Sequence, residues 1–126
     1  MATTNKELWQ QINEAFENGD MKFYEAHLAN DIHWNIIANK NQITGKKEYL
    51  EVMKMQDLES FPEITIRNII AEGEYVVVES TGKATTRTGK PYNQTYCDIY
   101  RFKEEKIQEV TTYLDTALVN EAGNNA

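Results

Sequence analysis

Two carboxylic acids lie within segments that otherwise have the composition of β-strands. Asp98 is flanked by Tyr96 and Tyr100 in the stretch YCDIYRF, and Asp115 ends the stretch VTTYLD. Side chains alternate between the two faces of a strand, so Tyr96, Asp98 and Tyr100 are predicted to share one face. A carboxyl group in an apolar site has a raised pKa and can donate a proton near neutral pH. Asp98 is therefore the first candidate for acid–base chemistry, and Asp115 is the second.

Each acid also has a purely structural interpretation. Asp98 could hydrogen-bond to a neighbouring tyrosine or pair with a basic residue on the adjacent strand. Asp115 could reach the mouth of a pocket or merely cap the end of its strand, because a β-bulge would change the face on which its side chain lies. The residues alone leave both alternatives open.

Other kinds of catalytic site find no support in the sequence. Cys97 is predicted to face away from Asp98, and a thiolate nucleophile needs a base or a positive charge nearby. His27 and His33 do not have the spacing of metal ligands, and no cysteine pair complements them. No Ser-His-Asp order, phosphate-binding loop or glycine-rich dinucleotide motif occurs. We therefore expect neither a metal nor a cofactor.

The composition narrows the class of partner. The chain has 126 residues, 40% of them hydrophobic and 26% charged, which is typical of one globular domain. A net charge of −7 argues against a nucleic-acid partner, and no stretch approaches the ~20 apolar residues of a membrane span. The opening MATTNKELWQ does not have the pattern of a signal peptide, and the single Cys97 suits the reducing cytoplasm. We expect a cytoplasmic protein that binds a small molecule or another protein, with no membrane partner.

Helical patterns fill the first part of the chain. Thr4 and Glu7 have the spacing of a capping box, and apolar residues follow at helical intervals as far as Gly19, a residue type common just after helix ends. Asp20 is a candidate cap for a second helix. Residues 46–55 form a third helical pattern.

Strand patterns dominate the second part. DIHWNII at 31–37 predicts a short strand, and ANKNQITG at 38–45 predicts a turn. Four later segments are rich in β-branched and aromatic residues and are separated by turn residues: 63–72, 74–86, 93–102 and 106–114. Helices followed by an antiparallel meander predict an α+β fold. A strongly twisted sheet of this size can curl around the helices and enclose a cavity.

Two long stretches carry a resemblance to a known family. FENGDMKFYEAHLANDIHW and YCDIYRFKEEKIQEVTTYLD, in this order, resemble the SnoaL-like and ketosteroid-isomerase-like branch of the NTF2-like superfamily, from about Leu8 to Ala117. The resemblance implies one SnoaL-like domain over residues 1–126. It also implies a cone-shaped NTF2-like (cystatin-like) fold, with three N-terminal helices packed on a curved, mainly antiparallel sheet.

The resemblance assigns roles to single residues. Asp98 falls where the isomerases keep a protonated aspartic acid that donates a hydrogen bond, whereas their phenol donor falls at Ile12 and their general base at Ile36. Steroid-type isomerisation through that triad is therefore not expected. SnoaL-type cyclases use a pocket aspartate as acid and base, which Asp98 or Asp115 could supply. The expected pocket wall consists of Ile12, Phe16, Trp34, Ile36, Met53, Tyr96 and Tyr100.

Two functions remain. The first is a cofactor-free isomerase- or cyclase-like enzyme that acts on a small, largely apolar carbonyl or enol compound. The alternative is a non-catalytic ligand-binding or dimerisation domain that has lost the catalytic base. Residues on both faces of the strands are β-branched, so a homodimer that covers the outer face of the sheet is also expected.

Overall fold

The structure is a computed structural model that describes residues 4–37, 40–54 and 63–114. The helices are α1 (Asn5–Glu17), α2 (Met21–Ala26) and α3 (Lys46–Lys54). The strands are β1 (Leu28–Ile36), β2 (Asn41–Thr44), β3 (Glu63–Glu72), β4 (Tyr75–Thr85), β5 (Pro91–Lys103) and β6 (Lys106–Leu114).

The strands form one sheet in the order β2-β1-β6-β5-β4-β3. The pairing of β1 with β6 is parallel, and the other four pairings are antiparallel. The sheet is curved and does not close, and the three helices pack on it. The predicted α+β fold is therefore confirmed. Within the part of the chain that the structure describes, no helix is both long and apolar enough to cross a membrane.

The first two helices begin at the caps that the sequence predicts. Thr4 Oγ1 accepts a hydrogen bond from the backbone N–H of Glu7 at 3.1 Å, and the Thr4 hydroxyl donates to the Glu7 carboxylate at 2.8 Å. Asp20 Oδ1 accepts from the backbone N–H of Phe23 at 3.2 Å. Between the helices Gly19 has a φ of 79°, a conformation that glycine adopts without steric cost. A cap of this kind stabilises a helix by about 1 kcal/mol.

The segment predicted as a turn contains a strand. Residues 41–44 form β2, which pairs with β1 so that Ile43 lies opposite Trp34. The reversal of the chain is shorter than predicted, and Lys40 within it has a positive φ of 56°. Four residues with one buried isoleucine make a weak strand pattern, so it is the pairing with β1 that holds them extended. Residue 55, the predicted end of the third helix, lies outside the described residues.

A register shift in the last hairpin decides which side chains of β6 face the helices. Arg101 pairs with Glu109, but Phe102 pairs with Ile107, so Gln108 is an extra residue in β6. Beyond this bulge, Val110 and Thr112 are buried. Thr112 thereby lies directly opposite Asp98.

Candidate functional site

A cavity of about 220 Å³ lies between the sheet and the helices. One residue of its wall, Ile64 on the edge strand β3, is 42% exposed. The wall contains side chains from all three helices and from five strands. It brings together most of the residues that the sequence analysis proposes for the site: Asp98, Ile12, Phe16, Trp34, Met53, Tyr96 and Tyr100.

Two other proposed residues are not placed in this wall. Ile36 packs against the core but does not belong to the cavity wall within the described residues. It is the last residue of β1, one pleat beyond Trp34 and next to the turn into β2. The expectation that Ile36 takes the general-base position of the isomerases stays a prediction. Asp115 lies outside the described residues, and its role stays a prediction.

Asp98 is held by a chain of two hydrogen bonds. The Trp34 indole N–H donates to Thr112 Oγ1 at 2.9 Å, and the Thr112 hydroxyl donates to Asp98 Oδ1 at 2.7 Å. The indole nitrogen can only donate, so the single hydroxyl proton of Thr112 is directed to Asp98. Asp98 Oδ2 has no hydrogen-bond partner within residues 4–37, 40–54 and 63–114. Oδ2 is therefore the oxygen that can take up or release a proton.

Burial controls the protonation of Asp98. Removal from water raises the pKa of its carboxyl from 3.8 to about 6, and the hydrogen bond from Thr112 opposes part of that rise. The carboxyl keeps some accessible surface because it lines the cavity. Near neutral pH it therefore has access to both the charged and the neutral form, which suits a group that both accepts and donates a proton.

Four phenols surround this carboxyl. The negative charge of Asp98 contributes to the raised pKa of each of them, although burial is the largest cause in every case: Tyr24, Tyr49, Tyr96 and Tyr100. The Tyr24 hydroxyl donates to the Met53 sulfur at 3.5 Å and lies 2.9 Å from the Tyr49 hydroxyl, which donates to it. All four phenols stay neutral near pH 7, and the hydroxyls of Tyr96 and Tyr100 have no acceptor among the described residues, so these two can donate to a ligand.

Replacement of Thr112 by valine is expected to raise the pKa of Asp98 further above 6. The valine variant leaves the carboxyl buried but removes the only donor that stabilises its charged form among the described residues. Thr112→Ser keeps a hydroxyl and should keep the pKa of the parent. Carbon-13 NMR titration of the Asp98 carboxyl measures both values. An unchanged pKa in the valine variant would contradict the proposed role of the hydrogen-bond chain.

Three residues that the structure places near Asp98 are not identified as site residues by the sequence analysis: Tyr24, Tyr49 and Thr112. Tyr24 and Tyr49 occupy inward positions of helical patterns, where an aromatic residue normally indicates core packing. Thr112 alternates with Val110 on a strand face, and only the bulge at Gln108 places it opposite Asp98. In the sequence, each of the three is only a hydroxyl-bearing residue at an inward position. That feature does not by itself indicate a functional site.

The cavity wall offers one acid–base group. Among the described wall residues, Asp98 is the only carboxylic acid, and none of the others carries an imidazole or an amine. The described residues also contain no group of three or more histidine, cysteine, aspartate or glutamate side chains that could hold a metal ion. Burial, with the charges of Asp98 and Glu79, raises the pKa of the Cys97 thiol, which opposes its use as a nucleophile.

Comparisons with known proteins agree with this fold. The sequence model of the SnoaL-like domain matches residues 9–110. No curated protein matches the sequence significantly. A solved NTF2-like protein of unknown function from Burkholderia pseudomallei K96243 has a TM-score of 0.83 at 19% sequence identity, over 95% of this chain and 98% of that one.

Two further solved structures are similar. A candidate ketosteroid isomerase from Kribbella flavida DSM 17836 has a TM-score of 0.72 at 15% identity, over 87% of this chain and 76% of that one. TerC, crystallised with polyporic acid, has a TM-score of 0.79 at 17% identity, over 92% of this chain and 95% of that one. At these identities the likeness shows the fold alone. With the family match over residues 9–110, the chain belongs to the family of SnoaL-like domains and has the NTF2-like fold.

Proposed function

We propose that the protein is a cofactor-free enzyme that moves a proton on a small, largely apolar carbonyl or enol compound. The observation that carries this proposal is the position of Asp98, whose free Oδ2 lines an apolar cavity and whose pKa is raised to about 6. The ionised form can accept a proton from carbon, and the protonated form can return it. One carboxyl group therefore suffices for both steps of an isomerisation or of a cyclisation that begins with enolisation.

The proton transfer can be written on these side chains. Asp98 Oδ2 takes the proton from a carbon next to the carbonyl, and the C–H electron pair forms the carbon–carbon double bond of an enolate. The negative charge moves to the carbonyl oxygen, where a neutral phenol can stabilise it, a contribution of several kcal/mol when the donor is well placed. Tyr100 is our choice for this donor, because it shares the cavity face of β5 with Asp98 and its hydroxyl has no hydrogen-bond acceptor among the described residues. Protonated Asp98 then gives the proton back to a carbon of the product.

Deuterium exchange tests this function directly. We propose 2-tetralone as the probe, because it is a compact, apolar ketone with acidic protons next to the carbonyl. In D₂O near neutral pH, the protein should remove the proton NMR signals of those positions faster than buffer alone. Glu79→Gln is a matched control, because Glu79 is an exposed acid on the neighbouring strand. It should exchange as fast as the parent.

The second candidate function is ligand binding without catalysis. It is favoured by one observation, that Asp98 is the only carboxylic acid among the described residues of the cavity wall. Saturable binding of 2-tetralone with no exchange above the buffer rate would support this candidate and contradict the enzyme.

We further propose that the protein forms a homodimer through the outer face of its sheet. This face carries large apolar side chains that are open to solvent, among them Ile70 at 65%, Tyr75 at 48% and Tyr113 at 46% exposure. Exposed apolar patches of this kind commonly mark protein–protein contacts. Light scattering at micromolar concentration should give twice the chain mass of 14.6 kDa. Ile70→Lys should shift the mass towards that of one chain, and a parent that is already monomeric would contradict the proposal.

A further inference from the structure

Ser80 is a second polar group of the cavity wall, and the proton transfer at Asp98 does not use it. It is only 5% exposed and lies on the buried face of β4 with Val76 and Val78. Its hydroxyl has no hydrogen-bond partner within residues 4–37, 40–54 and 63–114. No fully enclosed polar side-chain atom of the described residues lacks a partner, so the hydroxyl oxygen keeps some accessible surface, and Ser80 lines the cavity.

The strand register fixes where Ser80 lies relative to Asp98. Ser80 is directly opposite Tyr96 on β5, and Val78 is directly opposite Asp98. Ser80 and Asp98 are therefore diagonal neighbours on one face of the sheet. The Cα atoms of such neighbours are about 7 Å apart. Ser80 pairs on its other side with Ile66 of β3, one pleat from Ile64. The Ser80 position thus lies one strand nearer than Asp98 to the β3 edge of the sheet.

Tyr96 adds a second hydroxyl at the same level. It lines the cavity, and its phenol has no hydrogen-bond partner in the described ranges of the chain. Burial raises its pKa, so the phenol stays neutral and can donate. A hydroxyl that lines a cavity and has no protein partner can form a hydrogen bond with a polar group of a ligand.

We propose that Ser80 and Tyr96 form a second polar subsite, which binds an oxygen of the ligand about 7 Å from the group presented to Asp98. The substrate class that fits is a compact ketone or enol with a second hydroxyl or carbonyl oxygen, held apart from the first by a rigid apolar framework. The apolar framework contacts Val78, which lies directly opposite Asp98 and one pleat from Ser80. This inference depends on the cavity being the ligand site proposed above, and it does not depend on turnover.

A matched pair of ligands tests the subsite by binding alone. The probes are 2-tetralone and 7-hydroxy-2-tetralone, which differ by one hydroxyl on the ring remote from the ketone. Isothermal titration calorimetry gives the ratio of their dissociation constants for each variant. The parent should bind the hydroxylated ketone about tenfold more tightly. Ser80→Ala and Tyr96→Phe should each reduce this preference severalfold and leave the affinity for 2-tetralone nearly unchanged. Thr81→Ala is the control, because it removes a hydroxyl from the other face of the same strand.

The outcomes separate this inference from the proposed function. Equal affinities of the parent for the two ketones, or a preference that survives in both Ser80→Ala and Tyr96→Phe, would overturn the subsite. The proposed function would stand in that case if 2-tetralone still exchanges its protons. If neither ketone binds, the subsite and the proposed ligand site are both overturned. A loss of the preference in Thr81→Ala as well would also overturn the assignment to Ser80.

Discussion

Replacement of Asp98 by asparagine is expected to slow deuterium exchange into 2-tetralone by a factor of about 10² to 10⁴. The amide keeps the shape of the carboxyl, and its oxygen can still accept the hydrogen bond that Thr112 donates to Oδ1. It cannot accept a proton from carbon at neutral pH. The affinity for 2-tetralone, measured by calorimetry, should stay close to that of the parent because the apolar wall is unchanged.

The pH dependence of the parent gives an independent measurement of the same group. Exchange that begins with the ionised carboxyl should rise with pH through about 6 and level off above it, following the pKa of Asp98. An asparagine variant that exchanges as fast as the parent would remove Asp98 from the mechanism. The base would then have to be sought among residues such as Asp115.

The same substitution is expected to raise the free energy of unfolding at pH 8 by about 2 to 3 kcal/mol, since one pKa unit corresponds to about 1.4 kcal/mol. The folded chain raises the pKa of Asp98 from 3.8 to about 6. Between these values the folded state binds more protons than the unfolded state, so the stability of the parent falls as pH rises through this window. Well below pH 3.8 the carboxyl is protonated in both the folded and the unfolded state, and the two proteins should be equally stable.

Urea denaturation of parent and variant between pH 4 and pH 8 measures this difference. The advantage of the variant should grow between about pH 4 and pH 6 and then stay constant. Glu79→Gln, which neutralises an exposed acid on the neighbouring strand, is the control for the loss of one negative charge. A variant that is less stable than the parent at pH 8 would make Asp98 an ionised structural partner, and the argument for a poised acid–base group would fail.

The fold was largely predictable because its signals are local. The caps at Thr4 and Asp20 lie within a few residues of the backbone groups that they satisfy. The later strands follow alternating β-branched and aromatic patterns that end at turn residues. The edge strand β2 was not predicted, because its extended conformation depends on the pairing with β1. Its four residues are too few to show a clear strand pattern.

The candidate site was predictable only in part. Alternation along β5 is local, so it correctly predicted that Tyr96, Asp98 and Tyr100 share a face, and all three line the cavity. The partner of Asp98 could not be predicted in this way. Thr112 lies opposite Asp98 because β6 contains one extra residue. Trp34 contacts Thr112 because two segments distant in the sequence, β1 and β6, pair in parallel. Ile36 packs against the core and is not among the described wall residues, and its role in the site stays a prediction.

The parallel pairing of β1 with β6 also sets the order of events in folding. The Trp34–Thr112 hydrogen bond joins residues 78 positions apart in the sequence, and contacts that close such long loops form slowly. Strands β3 to β6 can assemble through successive hairpins, whereas the β1–β2 hairpin joins the sheet only along β6. The carboxyl of Asp98 should therefore keep an ordinary acidity until the final step encloses it. In stopped-flow refolding of a Trp9→Phe variant, Trp34 fluorescence should lag behind the circular dichroism of the strands, and simultaneous changes would contradict this order.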